Sequence, residues 1–200
     1  MKNLFAAFAA IFAMTFATAA SADNFKNNTF NVTAISGALD FTLDGDKDGL
    51  TDAEAGIVFL PHSLGSIDAD VRVAFAYDLD SSTVGVRSEY GVAGEVVGNL
   101  DVYAVAAVEY VTTAGDLGTG DFLLDPTVGV TYNVTDRVSV FGEVGYTWDM
   151  SNSFNRLGGY AEVGVPFSVT NDITVVPSIV REFDTGNNDY NFNLGVVFSF

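Results

Sequence analysis

The sequence contains no cysteine, which excludes disulfide bonds, thiolate metal ligands and cysteine nucleophiles. Basic residues are scarce, since 8 lysines and arginines stand against 26 aspartates and glutamates and the formal net charge is −18. A nucleic-acid-binding protein needs a basic surface, so this deficit excludes that class of partner. An acidic chain attracts cations instead, or simply stays soluble because of its charge.

Long hydrophobic runs are missing beyond the first 22 residues. That segment begins with the positive Lys2, continues through a run of mostly alanine and phenylalanine at 4–19, and ends with the small residues of a cleavage site at 20–22. We therefore predict a secretory signal peptide over 1–22 and one mature domain over 23–200. No later stretch reaches the roughly 18 apolar residues that a membrane helix needs.

A period of two dominates the rest of the chain. From Ile67 to Leu79 every second residue is apolar or aromatic, and the residues between them are charged or small. This alternation is typical of a β-strand whose two faces meet different environments. No helical period competes with it. The predicted strands are 28–43, 54–62, 66–79, 82–94, 98–112, 120–133, 136–149, 157–168, 172–184 and 189–200.

The connections between these strands alternate in length. Longer loops rich in glycine and aspartate lie at 44–53, 113–119, 150–156 and 184–189. Short turns lie at 98–99, 133–136 and 170–172, while 79–82 is a short connection on the side of the long loops. Long loops at one end and tight turns at the other are typical of outer-membrane barrels, whose tight turns face the periplasm.

Alternating strands also build soluble barrels, which turn the apolar face inward. Two observations favour the opposite orientation. Several apolar rows continue for the 9–11 or so residues that a transmembrane strand needs. Aromatic residues also cluster at the row ends, as in the two interfacial girdles of membrane barrels. They are Phe41, Tyr77, Tyr110, Phe122, Tyr146, Trp148, Phe183 and Phe192 on the loop side, and Tyr132, Phe167 and Phe200 on the turn side.

The other face of the strands carries charge at mid-strand. The residues are Arg72, Arg87, Glu89, Glu109, Glu143 and Glu162. In a narrow membrane barrel this face lines the lumen, where opposite charges must pair to offset desolvation. We therefore predict a lumen charge network in which the two arginines pair with the glutamates.

The last strand alternates up to the final residue. Its octet 193–200, NLGVVFSF, resembles the C-terminal β-signal of bacterial outer-membrane barrels, which has a polar residue, a glycine and two aromatic residues at set positions. Those positions are occupied by Asn193, Gly195, Phe198 and Phe200. The resemblance implies that the barrel-assembly machinery recognises this strand. It also implies a small porin-like barrel of the size of the membrane domain of outer-membrane protein A.

We therefore predict an all-β fold, an antiparallel up-and-down transmembrane β-barrel embedded in outer-membrane lipid. The strand number must be even if both termini are periplasmic. Ten strands use every segment from residue 28, whereas eight would begin at Ile67 and leave 23–66 as an extension; we favour ten.

The predicted function is structural, or that of a small porin-like passive channel with acidic outer loops. Barrel diameter grows with strand number, and an acidic lumen favours cations. The alternative is a secreted soluble β-barrel that binds a small apolar ligand. We predict no enzyme, because the single histidine, His62, lies at a predicted periplasmic turn away from the lumenal acids.

One loop has a further motif. The stretch DGDKDGLTDAEA has the oxygen-ligand spacing of a calcium loop and resembles the calcium repeats of thrombospondin type 3 and dockerin modules. The candidate ligands are Asp44, Asp46, Asp48, Leu50, Asp52 and Glu54. The position of the usual bidentate glutamate is occupied by Ala55, so any calcium site here should be weak. The alternative is an acidic surface turn.

Overall fold

The computed structural model describes residues 32–42, 49–64, 67–79, 81–114, 116, 118–183 and 190–199. The regular structure in these ranges is β throughout. No helix in the described part of the chain is long and apolar enough to cross a membrane. The predicted signal peptide, most of the acidic loop and Phe200 lie outside the described residues.

One continuous antiparallel sheet contains all the strands of the described ranges. They are β1 (Val32–Thr42), β2 (Gly49–Leu64), β3 (Ile67–Asp78), β4 (Thr83–Val97), β5 (Leu100–Thr113), β6 (Asp121–Thr135), β7 (Val138–Asp149), β8 (Asn155–Gly164), β9 (Phe167–Ser168), β10 (Ile173–Phe183) and β11 (Tyr190–Ser199).

Apart from β8 and β9, each strand pairs with its neighbours in the chain, and the first strand also pairs with the last. The β1–β11 pairing runs from Ala34 opposite Ser199 to Thr42 opposite Asn191 and closes the sheet into a barrel. The predicted up-and-down barrel is therefore confirmed. The alternative of eight strands starting at Ile67 is wrong, because β1 and β2 pair with each other and with the rest of the sheet.

The short strand β9 continues β8 across a break at Val165 and Pro166. Both β8 and β9 pair with β7 on one side and β10 on the other, so together they form a single barrel strand. Proline has no N–H to donate to the ladder, but the carbonyl of Pro166 still accepts from Ser139 N at 3.0 Å. The barrel thus has ten strands, as predicted.

Strand β2 is the largest departure from the predicted boundaries, since it begins at Gly49 rather than near residue 54. The physical reason is pairing on both sides: Asp52 lies opposite Asp40 of β1 and opposite Asp78 of β3. Two ladders hold this segment extended although its sequence is rich in turn-forming residues. Leu50, Asp52 and Glu54 are therefore strand residues.

The two faces of the sheet divide as predicted, with the apolar face outward. Phe75, Val128 and Val163 are 61%, 56% and 60% exposed. Exposing so much apolar surface to water is unfavourable, whereas contact with lipid is not. The buried apolar residues among those described are few and mostly small, namely Ala34, Ile35, Leu39, Ala69, Ala74 and Ala107. The interior of the barrel is instead lined by charged and polar side chains.

The charged lumen as candidate functional site

Strand register decides which charges meet inside the barrel. Arg72 of β3 lies opposite Glu89 of β4, and Arg87 of β4 lies opposite Glu109 of β5. Directly opposed side chains on one face of an antiparallel pair are within contact distance, and opposite charges there attract. The pleat places all four on the inner face, so the sheet assembles a charge network from single residues on neighbouring strands.

Arg72 bridges four strands. Its Nε donates to Ser36 Oγ of β1 at 3.0 Å, and its Nη1 lies 3.2 Å from Glu89 Oε2. Its Nη2 forms a further ion pair with Glu54 of β2. The arginine is thereby held from both sides, with a carboxylate on each neighbouring strand.

Arg87 continues the network toward β6. Its Nε lies 2.6 Å from Glu89 Oε1, while its Nη1 lies 2.9 Å from Asp125 Oδ2 and 3.5 Å from Glu109 Oε2. Asp125 is only 4% exposed, and a carboxylate so deeply buried needs a cationic partner. We call this cluster of six the arginine wall; its members are Glu54, Arg72, Arg87, Glu89, Glu109 and Asp125.

The opposite side of the lumen is acidic. Glu143 of β7 lies directly opposite Glu162 of β8, a like-charged pair. Glu143 accepts hydrogen bonds from Tyr103 Oη at 2.6 Å and from Tyr160 Oη at 3.2 Å. We call this side, together with Asp40 of β1 and Glu182 of β10, the acidic wall.

Both walls line one cavity of about 570 Å³ toward the end of the barrel that carries the longer connections, here called the loop end. Nine carboxylates face it, and Arg72 and Arg87 are the only basic residues among the described residues that line it. A second cavity of about 590 Å³ lies toward the opposite, turn end. It has four carboxylates, of Asp68, Asp70, Glu95 and Asp101, and none of its described lining residues is basic.

The predicted lumen network is thus brought together in part. Arg72, Arg87, Glu89 and Glu109 meet as expected. Glu143 and Glu162 also line the lumen, but the described structure gives neither of them an ion pair with an arginine, contrary to the expected pairing. The reason is distance around the barrel: β5 and β6 separate the strand of Arg87 from that of Glu143.

Glu54, Asp125 and Tyr103 belong to the lumen although the sequence analysis did not place them there. Asp125 and Tyr103 occupy inward positions of predicted strands, so extending the period of two to every position would have found them. Glu54 was considered only as a calcium ligand, because it lies in the loop motif at the first residue of the predicted strand, whereas β2 begins at Gly49.

Aromatic rings lying over glycines are a second feature that the sequence analysis missed. A Cβ added to Gly129 would collide with the ring of Tyr103, and one added to Gly145 would lie 2.5 Å from Tyr160 Cε1. The missing side chains let these rings lie flat along the wall, where their hydroxyls reach Glu143. A glycine on an inward position beside an aromatic residue of the next strand is the signal that could have revealed this.

The candidate calcium ligands are divided between loop and strand. Asp44, Asp46 and Asp48 lie outside the described residues, whereas Leu50, Asp52 and Glu54 belong to β2. Both Asp52 and Glu54 line the loop-end cavity. Within the described ranges no group of three or more histidine, cysteine or acidic side chains is arranged to hold a metal ion. The calcium site stays a prediction.

The candidate assembly signal lies on the strand that closes the barrel. Asn193, Gly195 and Phe198 of β11 lie opposite Asp40, Ala38 and Ile35 of β1. The backbone of His62 pairs with Ala69 near the turn between β2 and β3, as expected from the sequence.

Comparison with known proteins identifies the fold. No family model matches the sequence, and no curated protein matches it either. The structure matches the NanC porin with a TM-score of 0.53 at 10% identity, covering 84% of this chain and 100% of that one. It matches a KdgM porin in complex with disordered oligogalacturonate equally well, with a TM-score of 0.53, 10% identity and coverages of 84% and 99%.

An outer-membrane channel from Pseudomonas putida F1 gives a TM-score of 0.57 at 10% identity, with 88% of this chain and 98% of that one covered. At such identities the likeness establishes the fold alone. That fold is the small β-barrel of outer-membrane porins and channels.

Proposed function

We propose that the chain is a porin-like passive channel of an outer membrane and that its lumen favours cations. The observation that carries this proposal is the charge of the loop-end cavity, in which nine carboxylates face two arginines. Acidic side chains lining a pore attract cations and repel anions. Low-dielectric walls strengthen that effect by focusing the field into the opening.

The two arginines do little to offset this charge. Each guanidinium is already held by carboxylates of the arginine wall, as close as 2.6 Å for Arg87 and Glu89. Glu143 accepts hydrogen bonds from two neutral tyrosine hydroxyls, which orient a carboxylate without cancelling its charge. The acidic wall is therefore the side along which cations should pass.

The outward apolar face supports residence in a membrane. Outer-membrane barrels keep tight turns in the periplasm and longer loops outside, so the loop end would face the exterior. The charged interior disfavours the soluble alternative, because a barrel that binds small apolar ligands needs an apolar interior. A passive channel needs no catalytic group, in keeping with the predicted lack of enzymatic activity.

We do not expect this chain to bind the ligand of the KdgM structure. Oligogalacturonate is a chain of acidic sugars, and such an anion would meet the carboxylates of both cavities. We expect small cations to pass in preference to acidic oligosaccharides.

Planar-bilayer recording tests the proposal. With a potassium chloride gradient across the membrane, we expect conductance steps whose reversal potential has the sign of cation preference. The double variant Glu143→Gln/Glu162→Gln should move the reversal potential toward zero, because it removes two lumenal charges. Asp172→Asn, in the exposed turn before β10, is the control and should behave as wild type.

A reversal potential with the sign of anion preference would refute the proposed cation selectivity. A correctly inserted barrel without conductance steps would refute the channel and leave a structural role. Insertion is checked independently by heat-modifiable mobility on gels, which folded barrels show and unfolded chains do not.

Calcium binding by the acidic loop is a separate part of the proposal. Asp44, Asp46 and Asp48 would supply the main ligands, since Glu54 is paired with Arg72. Affinity of about 10⁻⁴–10⁻³ M is typical of extracellular modules and would suit an outer loop. Isothermal titration should give a saturable heat that Asp46→Asn abolishes; no heat at millimolar calcium and an unchanged melting curve with chelator would refute the site.

Export by the predicted signal peptide and recognition of β11 by the barrel-assembly machinery complete the proposal. Cell fractionation tests the location. The protein should remain with outer membranes through a salt wash, whereas a soluble periplasmic or secreted domain would be released.

A further inference from the structure

Two arginines lie on the outward, mostly apolar face of the barrel. Arg156 of β8 and Arg181 of β10 are exposed, and β8 and β10 are neighbouring strands. Arg181 lies opposite Ala161 of β8, and both face outward with the apolar row. Of the other described arginines, Arg72 and Arg87 line the lumen and Arg137 lies in the turn between β6 and β7.

Each of these two side chains lies over an aromatic ring. The guanidinium carbon of Arg156 is 5.2 Å from the centroid of the Tyr146 ring, and that of Arg181 is 5.5 Å from the centroid of the Tyr190 ring. Cation–π contacts of this kind hold a guanidinium by its face. The N–H donors of the group point along its edge, in the plane where it binds oxyanions in a bidentate manner.

The rings connect the two arginines into one surface. Tyr146 packs edge-to-face on Phe183 at 5.6 Å and lies 5.8 Å from Trp148. Phe183 is two residues beyond Arg181 and faces outward with it. We call this surface the arginine–aromatic patch; it consists of Tyr146, Trp148, Arg156, Arg181, Phe183 and Tyr190.

The patch lies toward the loop end of the outward face, since its residues on β7 and β10 pair with β8 between Arg156 and Ala161. On β10 the outward residues below Arg181 are apolar, from Ile173 to Ile179. A guanidinium facing lipid is strongly destabilising at the centre of the bilayer and much less so near its surface. Aromatic rings with a polar tip also prefer the surface level. Both residue types therefore place the patch at the headgroups beside the loop end.

We infer that the arginine–aromatic patch binds the phosphate group of a lipid headgroup with a net negative charge, in the leaflet beside the loop end. The inference rests on the proposed membrane location. Each guanidinium supplies donors for a phosphate, and the rings beside it match the boundary between headgroup and acyl chain. A formal net charge of −18 repels dissolved anions, whereas a lipid phosphate is brought to the barrel by its acyl chains.

The chain has its own reporter for this test, since Trp148 in the patch is its single tryptophan. The folded barrel in zwitterionic detergent is titrated with dihexanoyl phosphatidylglycerol while Trp148 fluorescence is followed. Dihexanoyl phosphatidylcholine and inorganic phosphate are titrated in parallel. We expect a saturable change with phosphatidylglycerol and a much smaller one with either comparison compound.

Arg156→Gln and Arg181→Gln should each raise the half-saturating concentration of phosphatidylglycerol about fivefold, the effect of one basic residue at an anionic membrane surface. Arg137→Gln is the matched control, an arginine at the other end of the barrel, and should titrate as wild type. Heat-modifiable mobility checks that each variant is folded.

Wild-type titration by both patch variants would overturn the inference. An equal response to phosphatidylcholine would also overturn it, because that headgroup has a phosphate but no net negative charge. So would an equal response to inorganic phosphate at the same concentration, because that anion has no acyl chains. A wild-type barrel that binds phosphatidylglycerol but does not conduct would support this inference while refuting the channel, so the two proposals fail separately.

Discussion

The two walls of the lumen use the same kind of residue in opposite ways. On the arginine wall, four carboxylates surround two guanidiniums, and Arg87 alone contacts three of them. On the acidic wall, Glu143 and Glu162 face each other without an intervening cation, and Glu143 is held by two tyrosine hydroxyls. The arginine wall thus neutralises its carboxylates, whereas the acidic wall keeps their negative charge.

This difference separates stability from function within one barrel. Paired charges on the arginine wall offset their desolvation and tie β1–β6 together across the lumen face. Carboxylates held only by hydroxyls keep their charge available to a passing ion at some cost in stability. The comparison predicts that neutralising mutations should have opposite effects on the two walls.

The largest effect is expected from Arg87→Gln. This change leaves Glu89, Glu109 and Asp125 close together without their shared cation, and Asp125 is almost fully buried. Removing one partner of a buried ion pair costs about 3–5 kcal/mol. Urea unfolding in lipid vesicles should show this loss, whereas Arg137→Gln, in an exposed turn, should change stability little.

Adding Asp125→Asn to Arg87→Gln should recover part of the loss, because it removes the most deeply buried unpaired charge. If Arg87→Gln unfolds at the same urea concentration as wild type, the arginine wall does not hold the barrel together.

An intermediate effect is expected from Gly145→Ala beneath the acidic wall. Its new methyl group would meet the Tyr160 ring at 2.5 Å and push the hydroxyl away from Glu143. Overpacking of this kind costs about 1–3 kcal/mol. Gly142→Ala on the same strand is the control, since its Cβ would lie 3.7 Å from the nearest atom of Val163, an ordinary contact. Equal unfolding midpoints for the two variants would show that the ring does not need the glycine.

The smallest effect, and the sharpest test of the comparison, is expected from Glu162→Gln. Like charges directly opposite on a sheet destabilise it, so neutralising one should stabilise the barrel, by an amount comparable to the roughly 0.2–1 kcal/mol of a favourable cross-strand pair. Glu89→Gln, the matched change on the arginine wall, should destabilise it instead because Arg72 and Arg87 lose their shared partner. Unfolding midpoints that shift in the same direction would contradict the division into two walls.

Much of the barrel could be predicted from the sequence because period-two alternation depends on neighbouring residues alone. Ile67 to Leu79 reveals both the strand and its two faces without any knowledge of partners. The boundary of β2 could not be predicted in this way. Its first residues favour a turn locally and become a strand through the pairing of Asp52 with β1 and β3.

The candidate site was predictable only as a set of inward charges. Arg72 and Glu89 are close in sequence and meet across one hairpin, so their pairing follows from the turn between their strands. Arg87 reaches Asp125 across β5, and Tyr103 reaches Glu143 across β6. Contacts between strands that are not adjacent depend on the curvature of the barrel wall, on the strand register and on a small residue on the strand between them. The alternation of apolar and polar residues specifies none of these.

The sequence by itself determined the strand faces, the acidic charge and the aromatic residues at the row ends, because each depends on composition or on a local period. The tertiary structure decided which charges compensate each other and which remain exposed to the lumen. The physical reason is that a period of two assigns a side chain to a face but not to a height or a neighbour. Those are set when the β1–β11 pairing closes the sheet and its register brings residues from distant parts of the chain to the same level of one narrow lumen.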